Sequence, residues 1–280
     1  MIGVLGWRLH TLTEGVVHIE RNYYGVLRVK ENQAWIADEN RNIPYRSLVH
    51  GSILHGEQWL DEKYRRSATS YYKTTSGIGR TLAQLEGKAI KVGIIGLGAG
   101  TIAAYADADD TYRFYDINPA VIRISRTWFT YLKDSPGKIE TVLGDARLSL
   151  EREPPQGFDV LAVDAFSGDS IPVHLITVEA FTQYLRHMKP GGVIAFHVSN
   201  RFLDLKPVLL AIAARHHLEY AYIREEGEGG GTTSDWVLLT RDKRFLLWPH
   251  IVEATEPVVP RPDWRLWTDD FNNLVQVFRY

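Results

Sequence analysis

Apolar and polar residues alternate in short segments over the first 60 positions of the chain. The segments are rich in β-branched and aromatic residues, and Asn, Gly, Asp or Pro residues separate them, which is typical of strands joined by turns. The pattern predicts β segments at 14–20, 25–30, 34–37 and 47–50. A connector follows and leads into a helix near residues 78–86. We therefore expect a small antiparallel β domain with its connector over residues 1–70.

From Ile90 onward, apolar runs alternate with helix-like segments. The apolar runs predict strands at 91–96, 111–116, 138–143, 158–164, 192–198, 219–224 and 235–241. The intervening segments predict helices near 99–107, 119–132, 145–152, 174–188 and 204–216. Such alternation is typical of an α/β fold with a mainly parallel sheet, in which ligands bind beyond the carboxyl ends of the strands. We expect one Rossmann-like domain over residues 71–280.

The first strand of this predicted sheet runs into a glycine-rich turn, Gly96-x-Gly98-x-Gly100, and the next strand ends on Asp116. Glycines there let backbone N–H groups approach a ligand, and the acidic residue can accept hydrogen bonds from both ribose hydroxyls. The third glycine comes one residue earlier than in dinucleotide-binding folds, as in S-adenosylmethionine sites of the methyltransferase type. The spacing predicts a nucleoside pocket, with Ile117 beside Asp116.

A carboxylate also follows the third strand of the sheet, in Gly144-Asp145-Ala146. At this position Asp145 can accept the exocyclic amine of adenine, and we assign Asp145 and Ala146 to the nucleoside site. The alternative role for Asp145 is the N-cap of the helix that begins near Ala146, and the two roles are compatible.

The fourth strand of the sheet ends on Asp164, and Asp169 follows on the next loop. Both carboxylates would face the reactive end of the ligand, beside the sulfonium. An alkylamine has a pKa near that of Lys, about 10.4, and must lose a proton before it attacks. The two carboxylates suit an amine nucleophile, since they can hold its distal ammonium and accept the proton. The alternative is a loop held together by Asp and Ser hydrogen bonds.

Three further polar residues have two open interpretations each. His197 ends a predicted strand, where it can reach the pocket or serve as a core histidine. Asp269 and Asp270 can add negative charge over the crevice, or they can occupy a solvated turn or helix cap. No metal is predicted, because His50 and His55 lack a carboxylate partner and the H-E-x-x-H pattern is absent.

Composition and charge narrow the class of protein. The net charge of −2 over 280 residues gives no polybasic signal, so nucleic acid is not an expected partner. Cysteine is absent, which excludes disulfides and a cysteine nucleophile. No apolar run reaches the roughly 18 residues of a membrane span. We therefore expect a cytoplasmic protein that does not insert directly into a membrane.

These residues resemble the spermidine synthase family, the polyamine aminopropyltransferases. The similarity runs from about Tyr23 to Asn273 and is strongest to bacterial spermidine synthase-like proteins that often follow a membrane transporter segment in a fused polypeptide. The most specific shared phrase runs from Asp164 to His174, and another is His197-Val-Ser-Asn200. The protein can therefore be the soluble part, or a relative, of a membrane-fused protein.

The resemblance implies transfer of a 3-aminopropyl group from decarboxylated S-adenosylmethionine to a diamine or polyamine, with methylthioadenosine as product and no metal. It also implies a homodimer or homotetramer. Asp116 would hold the ribose and Asp145 the adenine. The residues that we assign to catalysis are Asp164, Asp169 and Tyr71. The residues that we assign to substrate binding are Tyr72, His55, His197, Asp269 and Asp270.

The chain departs from the family pattern on the amine side. The two aspartates of the family stand three residues apart, whereas Asp164 and Asp169 stand five apart. The family's Asp-Gly-x-x-Gln reads His50-Gly-Ser-Ile-Leu54, and its Tyr-His-Glu reads Tyr71-Tyr-Lys73. Two alternatives stay open: an enzyme that uses S-adenosylmethionine itself, such as a methyltransferase, and a non-catalytic module that senses polyamines or nucleosides.

Overall fold

Two β-sheets organise the computed structural model, which describes residues 14–165, 172–227, 233–261 and 264–279. The strands are β1 (Val16–Asn22), β2 (Gly25–Ile36), β3 (Arg41–His50), β4 (Ile53–Trp59), β5 (Lys91–Ile95), β6 (Thr111–Asp116), β7 (Lys138–Leu143), β8 (Phe158–Val163), β9 (Met188–His197), β10 (Glu219–Glu225), β11 (Ser234–Thr240) and β12 (Thr255–Glu256). The α-helices are α1 (Gly77–Ala83), α2 (Pro119–Trp128), α3 (Tyr131–Asp134), α4 (Ala146–Arg152), α5 (Val178–His187), α6 (Lys206–His216), α7 (Lys243–Leu246) and α8 (Pro249–Val252).

The N-terminal sheet is antiparallel, with its strands in the order β1-β2-β3-β4. Two of the expected segments merge into the long strand β2, and β4 has no counterpart among the sequence predictions. Gln58 of β4 is buried, at 1% exposure, where its side chain bonds to Thr130 Oγ1 over 2.8 Å. The two buried positions of β4 are Gly56 and Gln58, neither of which is apolar and large, so the strand has no clear alternation of apolar and polar residues.

The larger sheet has the strand order β12-β10-β11-β9-β8-β5-β6-β7. Strands β5 to β9 run parallel, while β10, β11 and β12 pair antiparallel at one side. The chain proceeds outward from β5 to β6 and β7, then crosses back to place β8 on the other side of β5. Such a reversal opens a crevice at the carboxyl ends of the two strands. The expected α/β fold with a small antiparallel N-terminal sheet is confirmed.

The two sheets share one apolar core. Leu27, Val29 and Leu48 of the N-terminal sheet belong to the same buried cluster as Ile94 and Trp236 of the larger sheet. The opposite face of the larger sheet is covered by apolar residues of α5 and α6. Burial on both faces explains why the central strands read as continuous apolar runs in the sequence.

The predicted helices are shorter than expected at three places. The segment 99–107 forms only a 3₁₀ turn over Thr101–Tyr105, and 119–132 divides into α2 and α3. The segment 174–188 divides into a 3₁₀ turn over Val173–Leu175 and helix α5. Gly100 precedes the first of these turns with a φ of 85°, which is a left-handed conformation that ends rather than begins a helix.

Replacement of Gly96 by alanine is expected to destabilise the fold more than the same replacement at Gly51. Both glycines have a positive φ, which costs alanine about 1–2 kcal/mol. A Cβ on Gly96 would lie 2.1 Å from the carbonyl oxygen of Asp164, whereas a Cβ on Gly51 meets nothing within 4 Å. The clash adds roughly 1–3 kcal/mol. Urea unfolding of both variants measures the difference, and equal midpoints would contradict it.

Candidate active site

Three carboxylates meet at the carboxyl ends of the parallel strands, as the sequence predicts. Asp116 ends β6, Asp145 follows β7 and Asp164 follows β8. All three line one cavity, which we call the first cavity. Its other predicted members are Gly96, Gly98, Ile117, Ala146 and His55. Gly100 lies outside this lining, beside the side chain of Leu132.

The glycine turn packs closely against the N-terminal sheet. Gly98 has a φ of 53°, and a Cβ there would lie 2.4 Å from the carbonyl oxygen of His55. That same carbonyl accepts a hydrogen bond from the Ala99 N–H over 3.0 Å. The N-terminal sheet therefore packs directly onto the turn, and only glycine permits this approach.

The Asp116 carboxylate is prepared to accept further hydrogen bonds. Its Oδ2 accepts from the Leu97 N–H over 3.0 Å, and its Oδ1 accepts from the Asn118 N–H over 2.8 Å. Each carboxylate oxygen can accept a second bond, which leaves capacity for two ribose hydroxyls. Burial raises the pKa of Asp116 to about 6, although the two backbone N–H groups oppose this. A ligand that donates hydroxyl groups would stabilise the charged form.

Asp145 has two partners within the protein. Its Oδ1 accepts from the Leu148 N–H over 2.9 Å and caps helix α4, so the N-cap interpretation is confirmed. Its Oδ2 lies 2.9 Å from Nε2 of His174. The hydrogen bond from His174 is the main cause that lowers the pKa of Asp145. The adenine contact stays a prediction.

Asp164 is the centre of a buried hydrogen-bond chain. Its Oδ2 accepts from the Tyr72 hydroxyl over 2.5 Å, and its Oδ1 lies 2.7 Å from Nδ1 of His197. The Asp164 and His197 side chains are only 8% and 6% exposed. Burial by itself raises the pKa of Asp164, but the His197 ring and the Tyr72 hydroxyl together hold that pKa below its usual value. The group is therefore a carboxylate at neutral pH.

The orientation of His197 is fixed from several sides. Its ring stacks on Tyr71 at 4.5 Å and on Trp236 at 4.8 Å between centroids. Because a carboxylate only accepts, Nδ1 carries a proton and donates to Asp164, while Nε2 lies 2.8 Å from the Ser199 hydroxyl. Sequence reasoning missed Trp236 and Ser199. Trp236 lies in a strand that is buried at every position, so its sequence signal is that of a core residue.

A second cavity lies on the other side of Asp164. Its lining consists of Ser52, Ile53, Leu54, His55, Tyr71, Asp164, His197, Ser199, Asn200, Arg201 and Phe202. His55 and Asp164 line both cavities. Burial lowers the pKa of His55 to about 4, so the ring is neutral at physiological pH. Its Nε2 is buried and has no hydrogen-bond partner within the described part of the chain.

Asp269 and Asp270 are not brought to Asp164 by the described structure. Asp169 lies outside the described residues. Asp269 forms a two-point ion pair with Arg147, at 2.6 and 2.5 Å, and lines a neighbouring cavity on the Asp145 side. Asp270 is exposed in a turn. The ion pair with Arg147 offsets the charge of Asp269, and its place in a turn agrees with the second of its two interpretations.

Two negative findings apply to the described ranges alone. Across 14–165, 172–227, 233–261 and 264–279, no group of three or more His, Cys, Asp or Glu side chains is placed to hold a metal ion. Over the same ranges, no helix has both the length and the apolar character needed to cross a membrane.

Sequence comparison finds relatives among the polyamine aminopropyltransferases. A polyamine aminopropyltransferase of Vibrio vulnificus (strain CMCP6) is 31% identical over 118 residues, which covers 40% of this chain and 38% of the relative. A probable polyamine aminopropyl transferase of Bifidobacterium longum (strain NCC 2705) is 25% identical over 204 residues, which covers 71% of this chain and 40% of the relative. The aligned parts thus span about two-fifths of these curated relatives. No protein-family model matches the chain.

Structural comparison finds spermidine synthases. A probable spermidine synthase from Corynebacterium glutamicum ATCC 13032 matches with a TM-score of 0.61 and 20% identity, over 82% of this chain and 80% of that chain. A spermidine synthase in complex with the transition-state analogue AdoDATO matches with a TM-score of 0.56 and 14% identity, over 91% and 82%. At these identities the likeness establishes the fold.

Fold and crevice together define a Rossmann-like protein of the methyltransferase type, with a glycine turn and an acidic strand tip at the switch point of its sheet. The relatives by sequence and the solved structures agree on one group within that class. The resemblance to the spermidine synthase family is thereby confirmed.

Adenosine binding is expected to weaken as the pH falls below about 6. Protonation of Asp116 removes a charged acceptor for the ribose hydroxyls. Since ligand binding favours the carboxylate, the affinity should fall by up to about tenfold per pH unit below that pKa. Isothermal titration calorimetry between about pH 5 and pH 8 measures this dependence.

The control for this prediction is Asp116→Asn, which cannot titrate. This variant should bind adenosine more weakly at neutral pH and should lack the Asp116 part of the pH dependence. A constant wild-type affinity across the range, or an equal decline in the variant, would show that Asp116 does not control binding.

Proposed function

We propose that the protein is an aminopropyltransferase-like enzyme of the spermidine synthase type. It transfers the 3-aminopropyl group of decarboxylated S-adenosylmethionine to an acceptor of the diamine or polyamine class and releases methylthioadenosine. The observation that supports this most is the position of Asp164, whose carboxylate lines both cavities. The names of the curated relatives agree with the proposal.

The first cavity suits the nucleoside half of the donor. Gly96 and Gly98 place no side chain between their backbone and the ligand, and Asp116 retains hydrogen-bonding capacity for ribose hydroxyls. Tyr24, Val121 and Leu175 add apolar or aromatic surface to the same lining. A largely apolar cavity with a few fixed polar groups is the usual form of a small-molecule site.

The proposed reaction is a single displacement. The lone pair of an uncharged amine nitrogen attacks the CH₂ group bonded to the sulfonium sulfur, so a C–N bond forms as the C–S bond breaks. The electron pair of the broken bond stays on sulfur, which becomes the neutral thioether of methylthioadenosine. The positive charge moves to the nitrogen. Asp164 accepts the proton that the amine, which is protonated in solution, loses before its lone pair attacks. A sulfonium leaves readily, so catalysis needs mainly alignment and a proton acceptor.

Tyr71 and Tyr72 have different roles beside Asp164 in this proposal. Tyr72 donates its hydroxyl to the carboxylate, and burial followed by the charge of Asp164 raises the pKa of Tyr72 well above its usual value, so the proton stays on the phenol. Tyr71 stacks on His197 and lines the second cavity. Tyr72 is thus the positioning residue, and Tyr71 faces the acceptor.

Several finer points belong to the same proposal. The division into a β domain with connector at 1–70 and a catalytic domain at 71–280 rests on the strand and helix pattern and on the family resemblance. The homodimer or homotetramer rests on the resemblance alone. The cytoplasmic location and the absence of a metal rest on the sequence patterns described above. Asp169 is retained as a second catalytic carboxylate, and Asp145 as an adenine contact beside its capping role.

The decisive experiment is mass spectrometry of the products after incubation with decarboxylated S-adenosylmethionine and a panel of amines. Methylthioadenosine together with an aminopropylated amine is the expected result. A methylated product from S-adenosylmethionine would favour the methyltransferase alternative. Tight binding of methylthioadenosine or of a polyamine without any product would favour the sensing module.

Asp164→Asn is expected to lower turnover by about 10²- to 10⁴-fold, because an amide cannot take the proton from the attacking amine. Methylthioadenosine affinity should stay within about threefold of wild type, since the glycine turn and Asp116 are untouched. Asp159→Asn is the matched control. Asp159 lies at the opposite end of β8, where it bonds to Lys189 over 2.6 Å. Retained turnover in Asp164→Asn, or equal losses in both variants, would remove Asp164 from the mechanism.

A further inference from the structure

The second cavity has an unusual charge balance for a site that receives only cations. The charged side chains in its described lining are the Asp164 carboxylate and the Arg201 guanidinium. Asp164 is already bonded to Tyr72 and His197. The described lining therefore combines one carboxylate that is already bonded with one permanent cation.

The loop that carries Arg201 is fixed by its neighbours. The side-chain oxygen of Asn200 accepts from the Phe202 N–H over 2.9 Å and from the Leu203 N–H over 2.8 Å. The guanidinium of Arg201 lies over the Phe202 ring, with 5.5 Å between its carbon and the ring centroid. A planar, always charged group presented in this way matches a carboxylate.

A second observation also indicates a ligand at this site. The buried Nε2 of His55 has no partner among the described residues, although it lies on the wall shared by the two cavities. An unsatisfied buried nitrogen is destabilising, and a bound reactant can satisfy it. The neutral ring can bond an uncharged amine without repelling it. Ile53 and Leu54 provide apolar surface for an alkyl chain in the same cavity.

We infer that the second cavity receives a reactant that carries a carboxylate, and that Arg201 binds this carboxylate. The inference rests on the displacement in the proposed function and replaces one of its two reactants by one that carries a carboxylate. The carboxylate has two possible sources. It belongs either to an acceptor that is an α-amino acid with a side-chain amine, or to the intact amino-acid side chain of S-adenosylmethionine. In both cases the displacement at the CH₂ group is unchanged, and the carboxylate takes no part in it.

Two matched pairs of reactants test this inference, since each pair differs by one carboxylate. Ornithine differs from 1,4-diaminobutane by one added carboxylate. S-adenosylmethionine differs from decarboxylated S-adenosylmethionine in the same way. We expect a combination with one carboxylate to have a higher kcat/KM than decarboxylated donor with 1,4-diaminobutane. Mass spectrometry of the product shows whether the donor or the acceptor supplies the carboxylate.

Arg201→Gln is expected to lower kcat/KM for the carboxylate-bearing combination about 10- to 100-fold more than kcat/KM for the carboxylate-free combination. Arg201→Lys should retain part of the preference, because it keeps the charge without the planar fork. The control is Arg215→Gln, an exposed arginine on α6 that does not line the cavity.

The proposed function and this inference fail in different ways. A wild-type preference for the carboxylate-free pair that Arg201→Gln leaves unchanged would overturn the inference and uphold aminopropyl transfer. If no combination gives a product, the proposed function is overturned, and calorimetry still decides the inference. The inference then requires that ornithine or S-adenosylmethionine bind more tightly than its decarboxylated counterpart. It also requires that Arg201→Gln remove this difference in affinity. The absence of any such difference would overturn the inference as well.

Discussion

The close approach of Gly96 to the backbone of Asp164 is the constraint on which the site depends. The Asp164 N–H donates to the Ile95 carbonyl over 2.8 Å, and no side chain on Gly96 could fit beside the Asp164 carbonyl. This contact joins the end of β5, where the glycine turn begins, to the end of β8, which Asp164 follows. The proposed nucleoside pocket and the proposed proton acceptor are therefore kept at a fixed separation by adjacent, hydrogen-bonded strands rather than by loops.

The second determinant is the set of aromatic side chains around His197. Asp164 would be costly as an isolated buried charge, and its stability as a carboxylate depends on the two donors that face it. The ring of His197 is held by Tyr71 and Trp236, which come from distant parts of the chain. The acidity of one group at the end of β8 is thus determined by residues of three separate elements.

Most of the larger sheet could be predicted from sequence because its strands are buried on both faces and its nucleoside motif is local. The glycine turn and Asp116 lie within about twenty residues, so their spacing carries the information. The strand β4 could not be predicted, because Gln58 is buried through its hydrogen bond to Thr130 and does not fit an apolar periodicity. Trp236 and Ser199 were missed for a related reason. Their role depends on contact with His197, and no local pattern marks it.

The partners of the carboxylates are also distant in sequence and could not be predicted from it. Asp269 looks in sequence like free negative charge, but Arg147 from α4 neutralises it across 122 positions of the chain. The sequence likewise gave no means to distinguish Tyr71 from Tyr72 as the donor to Asp164. Such pairings are decided by tertiary geometry, which neighbouring residues do not encode.

The bond between the Ala99 N–H and the His55 carbonyl has a thermodynamic consequence for the molecule as a whole. Because His55 also lines the first cavity, a bound ligand there contacts the N-terminal sheet and the larger sheet at once. Such a ligand binds only while the two sheets are docked, so its binding free energy opposes their separation. Occupancy and the docking of the sheets are thermodynamically linked, and amide exchange in β4 should slow as the nucleoside site fills.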